Sequence, residues 1–294
     1  MPAPKVITVT VNWNRRDDTL ACLGTLAALS YPNVQVIVVD NGSTDGSAAA
    51  IGEQFPRVEQ IINPTNLGFA GGFNAGLRRA LALGADYVFI LNNDTLAPAG
   101  LLEPLVQAAG APEVGVTAPV IVYAADPARV WSAGAGRSAL TLELTGNHGR
   151  RARLDTITAR EFVSGCAMLI KRSVLEQVGV LDERFFMYYE DSDYCLRVRR
   201  AGFRLLVVPA ACLAHKVSLS SNGSDSPAER YWMGRSSVLF FRKHIRGWRW
   251  APVLAWRAGS LARTTGRLLL AGRSSAARAY LRGVVDGWRP AAPP

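Results

Sequence analysis

The chain has 294 residues, of which 49% are hydrophobic and 19% charged, and its formal net charge is +10. This composition excludes a disordered protein, because the chain has enough apolar side chains to bury a large core. The four cysteines form no CxxC pair, which argues against a disulfide framework and a structural zinc site. The sequence has no signal-peptide pattern and no run of about 18 apolar residues, so we expect a cytoplasmic protein without a transmembrane helix.

The positive charge is concentrated near the carboxyl terminus. Residues 242–294 hold eleven lysines and arginines and a single acid, so the first 241 residues are nearly neutral. Four of the seven tryptophans lie in the same segment. We therefore predict a main domain over residues 1–245 and a basic, Trp-rich helical tail over residues 246–294.

The first hundred residues alternate between apolar strands and amphipathic helices. The predicted strands are 5–12, 34–39, 58–62 and 86–91, and the predicted helices are 17–29, 45–54, 66–84 and 98–109. Four strand–helix repeats predict an α/β protein with a doubly wound, mostly parallel sheet. Three strands end in polar segments, at Asn12, Asp40 and Asn92, and parallel strands place such ends at one edge of the sheet. A nucleotide is the natural ligand of that edge.

Three features of this edge allow two interpretations each. Asp94 follows a buried strand and is placed to hold a metal ion against a diphosphate, or it belongs to a turn or caps a helix. Asp40 contacts a ribose or base, or caps the next helix. The glycine-rich segment 66–76 opens a helix. Its amides contact a phosphate or ribose, or alternatively its glycines only permit close helix packing. That segment fits neither GxGxxG nor a P-loop.

The regular alternation ends near residue 114. We predict strands at 116–123, 161–171 and 203–208, the last ending at Pro209, with a loop or hairpin over 132–153 and a helix at 173–178. An aromatic run then precedes Glu190, Asp191 and Asp193 at the start of a helix that continues to Ala201. These acids stabilise the helix dipole, or one of them acts as a general base. His215 is a structural histidine, or it completes a metal site that has one carboxylate.

Six segments, taken in chain order, resemble family 2 glycosyltransferases of the GT-A fold, and specifically their bacterial rhamnosyltransferase-like branch. The segments are Val11-Asn12-Trp13-Asn14, Val39-Asp40-Asn41-Gly42-Ser43, Asn66–Gly76, Leu91-Asn92-Asn93-Asp94, Phe162–Leu169 and Tyr189-Glu190-Asp191. The resemblance covers residues 5–245. It implies a nucleotide-sugar-binding half over residues 1–110 and an acceptor-binding and catalytic half over residues 111–245.

The resemblance also implies roles for individual residues. Asp191, preceded by Glu190, matches the base motif of the family, and Asp94 with His215 matches its metal ligands. The donor nucleotide sugar would be contacted by Val11, Trp13, Asp40, Asn66, Gly68, Phe69, Asn74, Asn92 and Asn93. Asn92 departs from the family pattern, which commonly has an acid there, so Asp94 would be the only carboxylate on a Mg²⁺ or Mn²⁺ ion.

The reaction implied by the resemblance is an inverting transfer of a sugar to an acceptor hydroxyl in the synthesis of a cell-surface polysaccharide or lipid-linked glycan. The branch favours dTDP-L-rhamnose as donor, with UDP-hexoses and UDP-galactofuranose as alternatives. A nucleotidyltransferase would leave the Asp191 segment unexplained. A catalytically silent nucleotide-sugar-binding or scaffold protein is the alternative outside the enzymes, and retention of Asp94, Asp191 and His215 together argues against it.

The basic tail contains two amphipathic segments, 251–270 and 276–288. Basic amphipathic helices with tryptophan are typical of membrane surfaces, so the tail is expected to dock on the inner face of the cell membrane near a lipid-linked acceptor. The alternative is that these helices pack on the main domain or on a second copy of the chain. Nucleic acid is disfavoured as a partner because the main domain is neutral and has no recognised binding motif.

Overall fold

The computed structural model of the chain describes residues 2–146, 155–217 and 225–289. The strands are β1 (Val6–Asn12), β2 (Val34–Asp40), β3 (Glu59–Ile62), β4 (Tyr87–Asn92), β5 (Thr95–Leu96), β6 (Val114–Tyr123), β7 (Asp126–Ser132), β8 (Gly136–Arg137), β9 (Leu144–Thr145), β10 (Thr158–Arg160), β11 (Ala167–Lys171) and β12 (Arg204–His215). The helices are α1 (Arg16–Leu26), α2 (Ser47–Gln54), α3 (Gly68–Ala82), α4 (Leu102–Ala108), α5 (Arg172–Val178), α6 (Glu190–Arg200), α7 (Pro227–His244), α8 (Trp250–Leu270) and α9 (Ser274–Trp288).

The central sheet has the strand order β10-β12-β6-β11-β4-β1-β2-β3, with β5 paired to β12 and β7 paired to β6. Strands β4, β1, β2 and β3 run parallel to one another, and β12 runs parallel to β6. Strand β11 lies between β4 and β6 and is antiparallel to both. The α/β fold with a mostly parallel central sheet is confirmed. The four strands of the first hundred residues form one parallel block, and β6 and β12 run in the same direction on the other side of β11.

The central strands are buried on both faces, as their continuous apolar runs predict. In β4, every residue from Tyr87 to Leu91 is buried, and the first nine residues of β6 are buried as well. Phe89 and Leu91 pack in one hydrophobic core with Val38 of β2 and Leu169 of β11. This core holds the carboxyl ends of the parallel strands in place.

Two strand predictions in the second half are wrong. The strand predicted at 161–171 begins only at Ala167, because the chain turns just before it and the Ala167 amide bonds to the Ser164 carbonyl. The strand predicted to end at Pro209 continues to His215. A register shift against β6 between Val208 and Cys212 accommodates the proline, which has no amide hydrogen for the ladder.

Other elements differ from the predictions in detail. Helix α4 begins at Leu102, four residues after the predicted start, and β7 and α7 were not predicted. The predicted loop or hairpin over 132–153 contains the short pair β8–β9, and its residues 147–154 lie outside the described ranges. Both predicted tail helices are present as α8 and α9.

The chain forms two compact units. The first comprises Met1–Gly136, Gly146–Leu181 and Asp191–Ser218, and it contains the central sheet. The second comprises Arg137–Thr145, Asp182–Glu190 and Leu219–Pro294, and it contains α7, α8 and α9. The predicted functional division of the chain at residue 245 stays a prediction.

Helices α7 and α9 of the second unit approach each other closely because glycines lie at their contact. A Cβ atom on Gly234 of α7 would lie 2.6 Å from the carbonyl oxygen of Tyr280, and one on Gly287 of α9 would lie 2.7 Å from that of Arg235. A Cβ on Gly283 would collide with the Tyr231 carbonyl. Backbone atoms cannot move aside as a flexible side chain does, so larger residues at these positions force the helices apart.

Helix α8 is packed differently, since Val253 and Leu268 are its only buried residues among those described. Its exposed surface includes Leu254, Trp256, Leu269 and Leu270 together with arginines. Within the described ranges, no helix is both long and apolar enough to cross a membrane.

We expect Gly283→Ala to lower the free energy of unfolding by about 1–3 kcal/mol, because the new methyl group overpacks the α7–α9 contact. Gly266→Ala in α8 is the matched control, since apart from its chain neighbours and the backbone of its own helix no atom lies within 4 Å of the position of the added Cβ. The control should leave stability unchanged or raise it by about 0.5–1 kcal/mol, through higher helix propensity. Urea denaturation of both variants measures the difference, and equal midpoints would contradict the close-packing account.

Candidate functional site

The polar side chains at the carboxyl ends of β1, β2 and β4 lie level with one another. The register pairs Asn12 with Asp40, and Val11 with Asn92. The Asn12 Nδ2 donates to Asp40 Oδ2 at 2.9 Å and to Ser43 Oγ at 3.0 Å. Asp40 Oδ1 accepts from the Ser43 amide at 2.8 Å. Asp40 is 2% exposed, so these bonds compensate the burial of its charge.

A second set of bonds joins the end of β1 to the segment after β4. Asn93 Nδ2 donates to Thr19 Oγ1 at 2.8 Å, and that hydroxyl donates to Asn12 Oδ1 at 2.8 Å. Thr19 lies in α1, where nothing in the sequence pattern distinguishes it from a core residue. The structure therefore adds Thr19 to the residues that hold this edge together.

Asn41, between Asp40 and the predicted donor-binding glycines, organises the start of α3. Its Nδ2 donates to Asn66 Oδ1 and to the Gly68 carbonyl, both at 3.0 Å, and its Oδ1 accepts from Asn63 Nδ2 at 2.9 Å. The Gly68 amide also donates to Asn66 Oδ1 at 2.8 Å. Asn41 belongs to the motif Val39-Asp40-Asn41-Gly42-Ser43, but the sequence predicted no role for it. Its position next to Asp40 is the signal that could have pointed to this role.

The glycines of α3 place that helix against β1. A Cβ atom on Gly72 would lie 2.8 Å from Val11 Cγ1, so the close-packing interpretation of this glycine-rich segment has direct structural support. Asn74 is fully buried, and its amide donates to the Leu181 carbonyl at 2.9 Å and accepts from the Leu181 amide at 3.0 Å. These bonds join α3 to the segment after α5. The predicted contact of Asn74 with the donor stays a prediction.

Asp94 and His215, which are 121 residues apart in sequence, meet at the end of β12. His215 pairs with Thr95 across the β12–β5 ladder, and the Lys216 amide donates to the Asp94 carbonyl at 2.9 Å. His215 Nε2 lies 3.0 Å from Asp94 Oδ1. Both side chains are buried, and the rings of Trp131 and His215 make a T-shaped contact with centroids 4.6 Å apart.

This pair has the chemistry of a divalent-cation site with few protein ligands. A carboxylate oxygen with an imidazole nitrogen suits Mn²⁺ or Mg²⁺, with the remaining positions left to water or phosphate oxygens. His215 Nδ1 is buried without a hydrogen-bond partner among the described residues. Among the residues that the structure describes, no group of three or more His, Cys, Asp and Glu side chains is arranged to hold a metal ion.

Two buried cysteines lie close to this pair without being suited to bind metal. Cys22 Sγ is 3.8 Å from both the Asn92 carbonyl oxygen and Thr95 Oγ1. Burial raises the pKa of the Cys22 thiol to about 12, and burial also raises the pKa of Cys166 well above its ordinary value. Both thiols are therefore protonated in the metal-free protein, and Mg²⁺ and Mn²⁺ prefer oxygen ligands to soft sulfur ligands.

Asp191 lies in the first turn of α6, next to a predicted donor-pocket residue. The Gly165 amide donates to Asp191 Oδ2 at 3.1 Å, and the Ser192 amide donates to Oδ1 at 2.7 Å. A Cβ atom on Gly165 would lie 3.2 Å from Asp191 Cβ and 3.3 Å from Phe69 Cζ, so Gly165 lets Phe69 and Asp191 approach each other. Amide donors and the helix N-terminus both favour the ionised carboxylate that a base requires.

The remaining predicted residues have different degrees of exposure. Trp13 is 44% exposed beyond the end of β1, Val11 and Asn92 are half-buried, and Glu190 is buried at the first residue of α6. Apart from Glu190, every predicted site residue belongs to the first unit. Their assignments as catalytic, donor-binding or metal-binding residues stay predictions.

A cluster of charges adjoins this edge at the start of α1. Lys216 Nζ lies 3.2 Å from Asp18 Oδ1, and Arg15 Nη2 lies 2.5 Å from Asp18 Oδ2. Burial by itself raises the pKa of the Asp18 carboxyl, but Lys216 and Arg15 outweigh that effect and hold the pKa below its ordinary value. Asp18 is therefore ionised and paired with two cations at neutral pH.

Comparison with known proteins identifies similar sequences. The family described as "Glycosyl transferase family 2" matches residues 7–179. The N-acetylglucosaminyl-diphospho-decaprenol L-rhamnosyltransferase of Mycobacterium tuberculosis is 30% identical over 267 residues, which cover 82% of this chain and 85% of that protein. The dTDP-rhamnosyl transferase RfbF of Shigella flexneri is 22% identical over 246 residues, which cover 81% of this chain and 80% of that protein.

A solved structure shows the same fold along nearly the whole chain. It is the mannosyltransferase PcManGT from Pyrobaculum calidifontis, in complex with GDP-Man and Mn²⁺. The match has a TM-score of 0.61 and 19% sequence identity, and it covers 97% of this chain and 87% of that one. At this identity the similarity shows a shared GT-A-type fold.

Proposed function

We propose a donor, an acceptor class and a mechanism for this chain, which belongs to glycosyl transferase family 2 and is a glycosyltransferase. The proposed donor is dTDP-L-rhamnose, because two similar proteins that cover most of the chain are named for rhamnosyl transfer. The proposed acceptor is a sugar hydroxyl on a lipid-linked diphosphate, after the acceptor in the name of the mycobacterial relative. The product would serve the synthesis of a cell-surface glycan.

The observation that carries the mechanism is the arrangement of Asp191 with Phe69 around Gly165. A carboxylate held by two amides, next to a residue of the predicted donor pocket, is suited to accept a proton beside the anomeric carbon. The acceptor oxygen attacks C1 of the sugar while its proton passes to Asp191. The bond from C1 to the phosphate oxygen breaks, and its electron pair leaves with the nucleoside diphosphate. One displacement of this kind inverts the anomeric configuration.

The donor nucleotide is assigned to the carboxyl-end edge of the sheet. Asp40 is held rigidly by Asn12 and Ser43, which prepares its carboxylate for a ribose hydroxyl. Trp13 is exposed just beyond the end of β1, and its aromatic ring is assigned to the base. Asn66, Gly68 and Asn93 lie in the hydrogen-bonded loops of the same edge and are assigned to the remainder of the donor.

Asp94 and His215 are the residues assigned to a divalent cation. The buried Nε2–Oδ1 contact of 3.0 Å brings together one hard oxygen and one nitrogen donor, and we favour Mn²⁺ because a nitrogen ligand suits it. A bound cation at this place would neutralise charge on the leaving diphosphate.

The first test separates donor binding from transfer. We expect Asp191→Asn to reduce transfer about 10²- to 10⁴-fold, because the amide cannot accept the proton. Its affinity for dTDP-L-rhamnose should remain unchanged. Radiolabelled transfer to N-acetylglucosaminyl-diphospho-prenol measures the rate, and isothermal titration calorimetry measures donor binding. Asp126→Asn on the exposed surface of β7 is the control, and a normal rate for Asp191→Asn would remove Asp191 from this role.

The second test concerns the cation. We expect His215→Ala to weaken Mn²⁺ binding about tenfold or more in the presence of dTDP, because one of two assigned protein ligands is lost. Electron paramagnetic resonance of free Mn²⁺ measures the affinity without reference to activity. Removal of Cys22, the neighbouring thiol, by Cys22→Ser should leave Mn²⁺ affinity unchanged. Equal Mn²⁺ affinity in His215→Ala and the unaltered protein would contradict the assignment.

We also propose that α8 docks on the anionic surface of the inner membrane, where a lipid-linked acceptor would be found. Leu254 is 50% exposed, Trp256 46% and Leu270 92%, and the neighbouring arginines favour anionic head groups. The competing interpretation, a second copy of the chain on this helix, remains an outcome of the test.

Flotation with vesicles of phosphatidylglycerol and phosphatidylcholine tests the docking. We expect the unaltered protein to float with the vesicles and Leu254→Asp/Leu270→Asp to remain in the dense fraction, because the acids remove apolar area and add repulsion. Lys5→Glu/Arg172→Glu, two cations at the amino-terminal end of the sheet, is the charge control and should float. Sedimentation would detect a dimer, and a dimer that does not float would overturn the membrane proposal.

A further inference from the structure

Lys216 lies directly beside Asp94 and His215, the pair assigned to the cation. It follows His215, and its backbone amide donates to the carbonyl of Asp94 at 2.9 Å. Its side chain extends to α1, where Nζ lies 3.2 Å from Asp18 Oδ1. The side chain of Lys216 is 30% exposed and that of Asp18 is 20% exposed, so solvent reaches both groups.

The ion pair lies along the same edge as the polar side chains of the strand ends. Asp18 precedes Thr19, whose hydroxyl joins Asn12 to Asn93. Asp18 also lines an open cleft of about 410 Å³ together with Asn14, Arg15, Arg16, Asp17 and Asp45. Lys216 is not among the residues that line this cleft, but its ammonium group contacts one of them, Asp18.

Asp18 is shared by two cations, Lys216 and Arg15, so these three groups together carry a charge of +1. The other charged residues of the cleft, Arg16, Asp17 and Asp45, together carry −1, so attraction for an anion comes from Lys216 and Arg15 and not from the cleft as a whole. The cation assigned to Asp94 and His215 would have one carboxylate ligand, so a divalent ion there would retain a charge of about +1. That charge neutralises a nucleoside diphosphate only in part, so a further cationic side chain would add to its binding.

We propose that Lys216 is a diphosphate-binding residue of the donor site, held by Asp18 until the nucleotide arrives. This inference rests on the proposed function. The ion pair is partly exposed, and ion pairs that solvent reaches contribute little to stability, so exchanging the carboxylate of Asp18 for a diphosphate costs little. The lysine ammonium on its flexible stem reorients readily and binds phosphate as a point charge.

Two substitutions break the same ion pair and distinguish this role from a structural one. Lys216→Met removes the ammonium group and keeps the aliphatic part of the side chain. Asp18→Asn keeps the ammonium group of Lys216 but removes the carboxylate that holds it. If Lys216 binds the diphosphate, Lys216→Met weakens dTDP binding about tenfold and Asp18→Asn binds dTDP as tightly as the unaltered protein or more tightly. If the pair only supports the fold, both substitutions shift dTDP affinity in the same direction.

Calorimetric titration of the full-length protein with dTDP, with and without Mn²⁺, is the measurement. Thymidine, which has no phosphate, is the ligand control, and its affinity should be equal in all variants. Lys5→Met is the charge-matched control, because Lys5 lies at the amino-terminal end of β1 and bonds to the Leu83 carbonyl. Equal dTDP affinity in Lys216→Met and Lys5→Met would overturn the inference.

The same titrations separate this inference from the function on which it rests. If the unaltered protein binds neither dTDP nor UDP, with or without Mn²⁺, then the proposed nucleotide-sugar site itself is wrong. If it binds dTDP and Lys216→Met binds it equally well, only the role of Lys216 is wrong.

Discussion

The level ends of the parallel strands β4, β1 and β2 determine where the polar side chains of the donor edge lie. Asn12 stands beside Asp40 because β1 and β2 share a register, and Asn92 stands level with Val11 because β4 shares it too. A slip of one residue would turn each side chain to the other face of the sheet. The buried apolar strands prevent such a slip, since Phe89 and Leu91 would lose their core contacts. The site thus depends on hydrophobic packing that lies outside it.

The hydrogen bonds of Asn12 fix the positions of the segments that follow β1, β2 and β4. Its Nδ2 bonds to Asp40 and Ser43 after β2, and its Oδ1 accepts from Thr19 in α1. Thr19 in turn accepts from Asn93 after β4. Buried polar networks of this kind are favourable when their members are paired, and they then hold one geometry. The loops that the donor is proposed to meet are consequently ordered before the donor binds.

The contact between Asp94 and His215 joins this edge to the second half of the sheet. It exists because β12 passes through Pro209 with a register shift and continues to His215 beside β5. Had the strand ended at Pro209, no ladder would bring the imidazole to the carboxylate. The same continuation places Lys216 next to Asp94, so one irregularity in one strand positions a proposed metal ligand and a proposed diphosphate ligand.

The second unit depends on close packing between helices and not on the register of strands. Glycines let α7 and α9 approach until backbone meets backbone, whereas α8 buries Val253 and Leu268 and presents leucine and tryptophan to solvent. Both tail segments have a basic amphipathic pattern in the sequence, yet α9 is packed closely against α7 and α8 is largely exposed. Helical periodicity reveals that a face is apolar, but the element that covers the face is set by packing.

The sequence by itself determined the α/β class, the four parallel strands of the first half, the family, and the strand ends at which Asp40 and Asp94 lie. These features depend on local apolar runs and on motifs that are contiguous in the chain. Only the tertiary structure decided that Thr19 bridges Asn12 and Asn93, that Asn74 binds Leu181, and that Lys216 pairs with Asp18. Those contacts join residues that are 7 to 198 positions apart. No local pattern encodes such pairings, because they arise only when packing and strand register bring distant segments together.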